Sequence, residues 1–416
     1  MKIQLFGSKS LRNIAASVAI FLFVGGEMVT AQSGVTVYDS GNSSLPDNSV
    51  WAVAVEPSGK VWFGTDWGLA SLDAGNWQVY QTTNSGLPND AVRSILVDDS
   101  GIVWVGTFMG GLSKFDGTNW TVYNSGNSGL PADHVRCLGK DADGAIYAGT
   151  DGGLAKLEGA FWTVWNLPTL GIGSNNVTCL YVEGRDSIWL GTINGGMVHI
   201  EDTVVTSFSY QNSGLVDNTQ VGIVKDSGDD LWIATPSNGL VYYQNLVFLA
   251  YSMINSGNPT MSHSCVILDG NEAKWVGSLD KGVVYYDAPT WRHYDETNSA
   301  IPQNYVRCLA LDPTTGFIWG GTEQRGAFVL DPNTITAVEE IDLANGFEVY
   351  PNPASDWIHF PAGLDRLSIV DLSGKVVFMA TDLGDALDVS QLPSGAYLVL
   401  AQKGQQEAKT RLMIAR

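Results

Sequence analysis

Three arginines in this chain share one position. Arg93, Arg136 and Arg307 each stand one residue before a small side chain (Ser94, Cys137 and Cys308) at the start of a short apolar run. The same position carries Trp51, Thr178, Val221 and Ser264 elsewhere. A guanidinium offers a planar fork of donors that fits carboxylate or sulfate. If these runs line a channel, Trp51, Arg93, Arg136 and Arg307 gather near its axis, which would suit an acidic glycan or a peptide terminus. The competing account pairs each arginine with a nearby turn aspartate.

A second set of candidates follows a recurrent aromatic-x-Gly-Thr motif, where the chain does not repeat. These tips read Asp66-Trp67, Phe108-Met109, Asp151, Ile193-Asn194, Ser237-Asn238, Asp280-Lys281 and Gln324-Arg325. Trp67 and Phe108 could stack on a sugar ring, with Met109 beside them and Asp151, Asn194, Asn238, Lys281 and Arg325 reaching its hydroxyls. Alternatively these residues only pack over their neighbours. Catalytic signatures are missing: there is no G-x-S-x-G, H-E-x-x-H or P-loop. His134, His199, His263, His293 and His359 are scattered, so neither a metal nor a cofactor is expected. Turns such as Asp141-Ala-Asp-Gly144 lack the oxygen ligands of a calcium loop and read as hairpin turns. Asp133-His134 is the one local acid–base candidate, which keeps a lyase or hydrolase open as the rival reading.

The elements that must hold these residues form a repeat. The marker occurs as Trp62-Phe-Gly-Thr65, Trp104-Val-Gly-Thr107, Tyr147-Ala-Gly-Thr150, Trp189-Leu-Gly-Thr192, Trp232-Ile-Ala-Thr235, Trp275-Val-Gly-Ser278 and Trp319-Gly-Gly-Thr322. Successive copies lie 42 to 44 residues apart, the length of a four-stranded propeller blade. In the second copy, strands are predicted at 92–97, 103–107, 111–115 and 120–123, joined by turns rich in Asp, Ser, Asn and Gly. The glycines near 110, 152 and 195 allow a tight turn and close backbone approach. The last copy lacks a fourth strand, whereas the chain begins with a spare one in TVYDSGNSSLP, matching TVYNSGNSGLP at 121–131. The expectation is an all-β, seven-bladed β-propeller closed by the N-terminal strand.

The stretch SGLPNDAVRSILVDDSGIVWVGTFMGGLSKFDG, residues 85–117, resembles the two-component regulator propeller repeat. That family's propellers often form glycan-detecting sensors of hybrid histidine kinases. This chain shows no kinase core, receiver or transmembrane helix after the propeller, so a signalling role is not expected of it. After residue 336 the period vanishes. FEVYPNPASDWIHF, LSIVDLSGKVV and LPSGAYLVL resemble the type A sorting domain of the type IX secretion system of Bacteroidetes, with Asn352-Pro353, Gly374 and Gly395-Ala-Tyr397 carrying the match. The resemblance implies a partner in the secretion machinery and surface attachment. From the residues alone, the segment is a small immunoglobulin-like β-sandwich.

Lys2, Lys9 and Arg12, the apolar run 14–24 and the small residues 29–31 read as a signal peptide. The expected division is therefore 1–31 signal peptide, 32–336 propeller and 337–416 sorting domain, with no transmembrane segment in the mature chain. Such a protein travels through the periplasm and is secreted or held at the outer-membrane surface. A net charge of −21 argues against nucleic acid, which needs clustered Lys and Arg. Cys137, Cys179, Cys265 and Cys308 occupy the small positions of inner strands, and free buried thiols are expected in preference to Cys137–Cys179 and Cys265–Cys308 bridges. The functional expectation is a non-catalytic binding propeller for a polysaccharide or another extracellular polymer or protein. The alternatives are the propeller lyase or hydrolase and a structural adhesion module.

Overall fold

A computed structural model describes residues 34–170, 172–253, 255–333, 347, 349–371, 375–381, 383–403 and 406–415. The signal-peptide segment and Gly374 lie outside these residues. The described chain is all-β apart from one 3-10 turn, Leu167–Leu170. Four-stranded antiparallel sheets follow one another in a propeller-like array. Their innermost strands are Val50–Val55, Val92–Val97, Val135–Lys140, Val177–Gly184, Gly222–Lys225, His263–Leu268 and Val306–Leu311. In the second sheet the strands are Val92–Val97, Val103–Thr107, Leu112–Phe115 and Trp120–Tyr123. The third begins one residue later than the sequence predicts, because Gly111 turns the chain with φ of 84°. The strand Val35–Tyr38 pairs with Ala327–Leu330, placing Val35 opposite Leu330.

The marker motif has a physical reason at each of its fixed positions. Its aromatic is buried, and in most copies it donates to an acid six residues earlier: Trp62 to Glu56 (2.6 Å), Trp104 to Asp98 (3.2 Å), Trp232 to Asp226 (2.8 Å) and Trp275 to Asp269 (2.9 Å). The Tyr147 hydroxyl does the same to Asp141 at 3.1 Å. The D-x-x-G carboxylates are thus engaged in their own hairpins, Asp98 also accepting the N–H groups of Ser100 and Ile102. The glycine permits close approach: a Cβ on Gly149 would lie 2.4 Å from Cys137 Sγ and 2.7 Å from Val177. The final hydroxyl donates to the carbonyl of the glycine that ends the tip, from Thr65–Gly68 to Thr322–Gly326, at 2.7–3.0 Å in every copy. The core lies between sheets, where Trp62, Phe63, Tyr147 and Trp275 are fully buried.

All four cysteines are free thiols. Burial pushes Cys265 up to about 11 and Cys179 up to about 12, so at neutral pH they are small packing groups and not nucleophiles.

The C-terminal segment has a four-stranded antiparallel sheet in the order Val376–Ala380, Arg366–Asp371, Gly395–Lys403, Gln406–Ile414, with Trp357–His359 pairing Ala386–Asp388. Its core includes Ile358, Phe360, Leu367, Ile369, Val399 and Leu412. Asn352 ties the segment's entry to its last strand, donating to the Arg411 carbonyl at 2.7 Å and accepting from Met413 N–H at 2.8 Å. The Tyr397 hydroxyl donates to the Pro393 carbonyl at 2.8 Å. No helix among the described residues is long and apolar enough to cross a membrane.

Candidate functional site

Each arginine of the shared register sits where an inner strand begins, beside the tip that follows a marker. Backbone bonds join the two: Asp151 N–H donates to the His134 carbonyl at 3.3 Å, and Glu323 N–H to the Tyr305 carbonyl at 3.2 Å. The register and the tips, read separately in the sequence, therefore merge into one surface. Arg93 pairs with Asp66 at 2.7 Å, Arg136 with Asp151 at 2.5 Å and Arg307 with Glu323 at 3.0 Å.

Trp51 joins these pairs into an arc. Its ring is stacked between two guanidiniums, with the central carbon of Arg307 3.6 Å and that of Arg93 4.2 Å from its centroid. Arg93 also lies 5.4 Å from the Phe108 ring, which stands edge-on to His134 at 4.6 Å. His134 Nδ1 is 2.9 Å from Asp151 Oδ2, so that carboxylate holds both His134 and Arg136. The arc thus runs Glu323, Arg307, Trp51, Arg93 with its partner Asp66, Phe108, His134, Asp151, Arg136. Phe108 is 41% exposed, leaving an aromatic edge in solvent.

Electrostatics follow from this pairing. Burial alone would raise Asp66, but the neighbouring Trp51 N–H and the Arg93 charge outweigh it and hold the carboxyl below its ordinary value. Asp151 is likewise held low by Arg136 and His134 against the effect of burial. Burial, reinforced by Arg136, pushes His134 down although Asp151 opposes the shift, so its imidazole is neutral at physiological pH. Three guanidiniums, three carboxylates and a neutral imidazole leave the arc with no net charge. The gathering of positive charge expected for an acidic ligand is cancelled residue by residue.

The remaining candidates take no part in the arc's ion pairs and ring contacts. Trp67 and Met109 are 62% and 69% exposed. Asn194 accepts from the Thr219 hydroxyl at 3.4 Å, and Asn238 donates to Asp217 at 3.0 Å. The backbone N–H groups of Lys281 and Arg325 donate to the marker hydroxyls of Ser278 and Thr322. Asp133, the expected neighbour of His134 in a catalytic pair, instead accepts the Ser125 N–H at 2.7 Å. The acid that addresses His134 is Asp151. Sequence reasoning missed Asp66 and Glu323 as partners, although each directly follows a marker threonine, as Asp151 does.

On the other sheets the equivalent register is plain. The Thr178 hydroxyl donates to the Gln220 carbonyl just before the next inner strand, and the Ser264 hydroxyl to the Val306 carbonyl that begins the one after its own, each at 2.5 Å. Buried His263 replaces the valine that begins most inner strands. Its Nε2 accepts from Asn258 at 3.0 Å, its Nδ1 has no partner, and burial pushes it down to about 3. Among the described residues, no group of His, Cys, Asp and Glu is arranged to hold a metal.

Two family models match. Residues 348–415 match the secretion system C-terminal sorting domain, and residues 44–67 and 86–109 match the two component regulator propeller. The chain carries propeller repeats of that kind and a type IX sorting domain, which marks it for export to the cell surface or secretion and for contact with the secretion machinery. No curated protein sequence matches the chain. Solved structures resemble it at low identity. The extracellular domain of the hybrid two-component system protein BT3049 from B. thetaiotaomicron is 19% identical, with a TM-score of 0.63 over 92% of this chain and 57% of that one. PorZ, a surface component of the type IX secretion system of Porphyromonas gingivalis, is 15% identical, with a TM-score of 0.56 over 89% of this chain and 60% of that one. Virginiamycin B lyase from Staphylococcus aureus is 14% identical, with a TM-score of 0.59 over 71% of this chain and 98% of that one. This chain therefore spans less than two thirds of the first two. Together these likenesses establish a propeller fold.

Proposed function

We propose that this protein is a non-catalytic binding propeller, exported to the cell surface or secreted, whose arc recognises a polysaccharide or another extracellular polymer. One observation carries the reading: aromatic rings and paired charges from neighbouring sheets form a continuous, partly exposed surface at one end of the inner strands. Such a surface offers stacking faces beside fixed donors and acceptors, the requirements of a sugar site. The exposed Trp67 and Met109 would widen it, and Asn194, Asn238, Lys281 and Arg325 would border it.

The same reading takes the array as seven blades, with the N-terminal strand completing the last. Pairing of Val35–Tyr38 with Ala327–Leu330, and the packing of Val50–Val55 beside Val306–Leu311, support it. Residues 1–31 are then the signal peptide, 32–336 the propeller, and 337–416 an immunoglobulin-like sandwich that directs export and attachment.

A glycan-array assay on the exported chain, beside a Trp67→Ala/Phe108→Ala double variant, tests the function. Binding that the variant loses supports a sugar site on this face. Absence of binding by both sinks the polysaccharide reading. A lyase reading has one observation in its favour, the neutral His134 held by Asp151 next to Arg136. Turnover of an extracellular polymer that His134→Ala abolishes would replace the binding reading.

A further inference from the structure

The outer rim of the array carries an apolar stripe that neither the fold nor the arc uses. On the fifth sheet, whose inner strand begins at Gly222, the outermost strand is Val247–Tyr251. Leu246, Val247, Leu249 and Met253 lie along it and are 52–76% exposed. The repeat supplies a control. Hairpin pairing aligns Val247 with Asn76 of the first sheet and Thr290 of the sixth. The places of Val247, Leu249 and Met253 are thus held by Asn76, Gln78 and Thr82 in the first sheet, and by Thr290, Arg292 and Glu296 in the sixth. Water-facing places that are polar elsewhere and apolar here are no demand of the scaffold. Leu246 is unfavourable twice over. It is the most exposed of the four, and it holds φ of 67° where the first sheet has Gly75 at 86°, a backbone that a leucine side chain disfavours.

Charge points to what the stripe meets. From Leu231 to Leu268 the chain has no Asp, Glu, Lys or Arg, although its net charge is −21. Two copies of so acidic a chain repel wherever their carboxylates approach. That approach is least opposed where both present this uncharged sector. Val204 and Tyr210 hold two of the same places on the fourth sheet and are exposed as well. Phe208 against Phe248, with centroids 5.7 Å apart, joins the two outer strands. The edge backbone is partly taken, since Asn255 donates to the Ala250 carbonyl at 2.8 Å. The contact is therefore one of side chains and not an extension of the sheet.

We propose that the stripe of Leu246, Val247, Leu249 and Met253 is a docking surface for a second copy of this chain, stripe against stripe about a two-fold axis. The pairing is independent of what the arc binds.

Sedimentation equilibrium of the full exported chain, from micromolar to millimolar concentration and at low and high salt, tests this. The expected result is a reversible dimer that high salt strengthens, because salt screens the repulsion between copies and spares apolar contact. Val247→Asn/Leu249→Gln/Met253→Thr gives the fifth sheet the residues of the first, and should weaken the dimer about a hundredfold. Leu246→Gly, which suits the left-handed backbone, should weaken it about tenfold and is the second probe if the triple variant fails to fold. A dimer that neither variant weakens, or that high salt dissolves, overturns the apolar seat. A monomer under every condition overturns the second copy as occupant. Should that monomer float with phosphatidylcholine vesicles and the triple variant not, the stripe is a lipid surface instead.

Discussion

The inner strands that begin at Val306, Val50, Val92 and Val135 differ sharply from those at Val177, Gly222 and His263. On the first group, the register before the small position holds Arg307, Trp51, Arg93 and Arg136. The residue after the marker hydroxyl is Glu323, Asp66, Phe108 and Asp151. On the second group the register holds Thr178, Val221 and Ser264, and the marker is followed by Ile193, Pro236 and Leu279. The scaffold bonds are nevertheless shared. Thr150 caps Gly153 at 2.8 Å, and Thr192 caps Gly196 at 2.8 Å. Since three of these seven inner strands do without the arc's side chains and keep the same sheets, the fold does not require them. A pattern of charges and rings that folding does not require is the pattern a ligand would select.

Substitutions that strike the shared scaffold should erase this distinction. A side chain at Gly149, in the first group, would press on Cys137 Sγ at 2.4 Å, and one at Gly277, in the second, on Cys265 Sγ at 2.7 Å. Gly149→Val and Gly277→Val are each expected to lower stability by about 3 kcal/mol through overpacking, measured by denaturant unfolding. A large inequality between them would mean that the two groups do not share one scaffold.

An acid-pH experiment that compares the protein with His263→Val isolates one residue of the second group. His263 is held neutral down to about 3 by burial, whereas the unfolded imidazole binds a proton near its usual value of about 6.5. Below that value the unfolded state gains protons that the folded state refuses, so stability falls as pH drops and is unaffected above it. At about pH 5 the loss should be about 2 kcal/mol. His263→Val, which restores the residue used by most inner strands, should remove it and change little at neutral pH. An acid slope identical in the variant would refute the assignment.

The smallest change in stability is expected where the difference is greatest. Arg136→Thr combined with Asp151→Ile gives the third sheet the residues of the fourth, and should alter stability by less than about 1 kcal/mol, because partly exposed ion pairs contribute little. Binding at the arc should fall about tenfold or more. A loss of several kcal/mol in this variant would show the arc to be structural after all.

The repeat was readable because its constraints are local. The aromatic, the glycine and the hydroxyl of W-x-G-T each answer a contact made within one sheet or with the next, so the copies repeat them, Ala234 alone replacing the glycine. Asp133 shows where local reading fails. Adjacent to His134 in sequence, it lies in the loop before the strand Val135–Lys140 and there accepts the Ser125 N–H. Asp151 reaches His134 from the following hairpin instead. The arginines were visible as a register, but their neutrality was not. It depends on the acids Asp66, Asp151 and Glu323 arriving from tips 15 to 27 residues away along the chain.

The strand Val35–Tyr38 finds its partner in Ala327–Leu330, with nearly the whole propeller between them. Pairing of that range is entropically slow to achieve and cannot occur until the last sheet has emerged. A chain made from its N-terminus therefore keeps the edge that Val35–Tyr38 will fill open until residues 327–330 have followed.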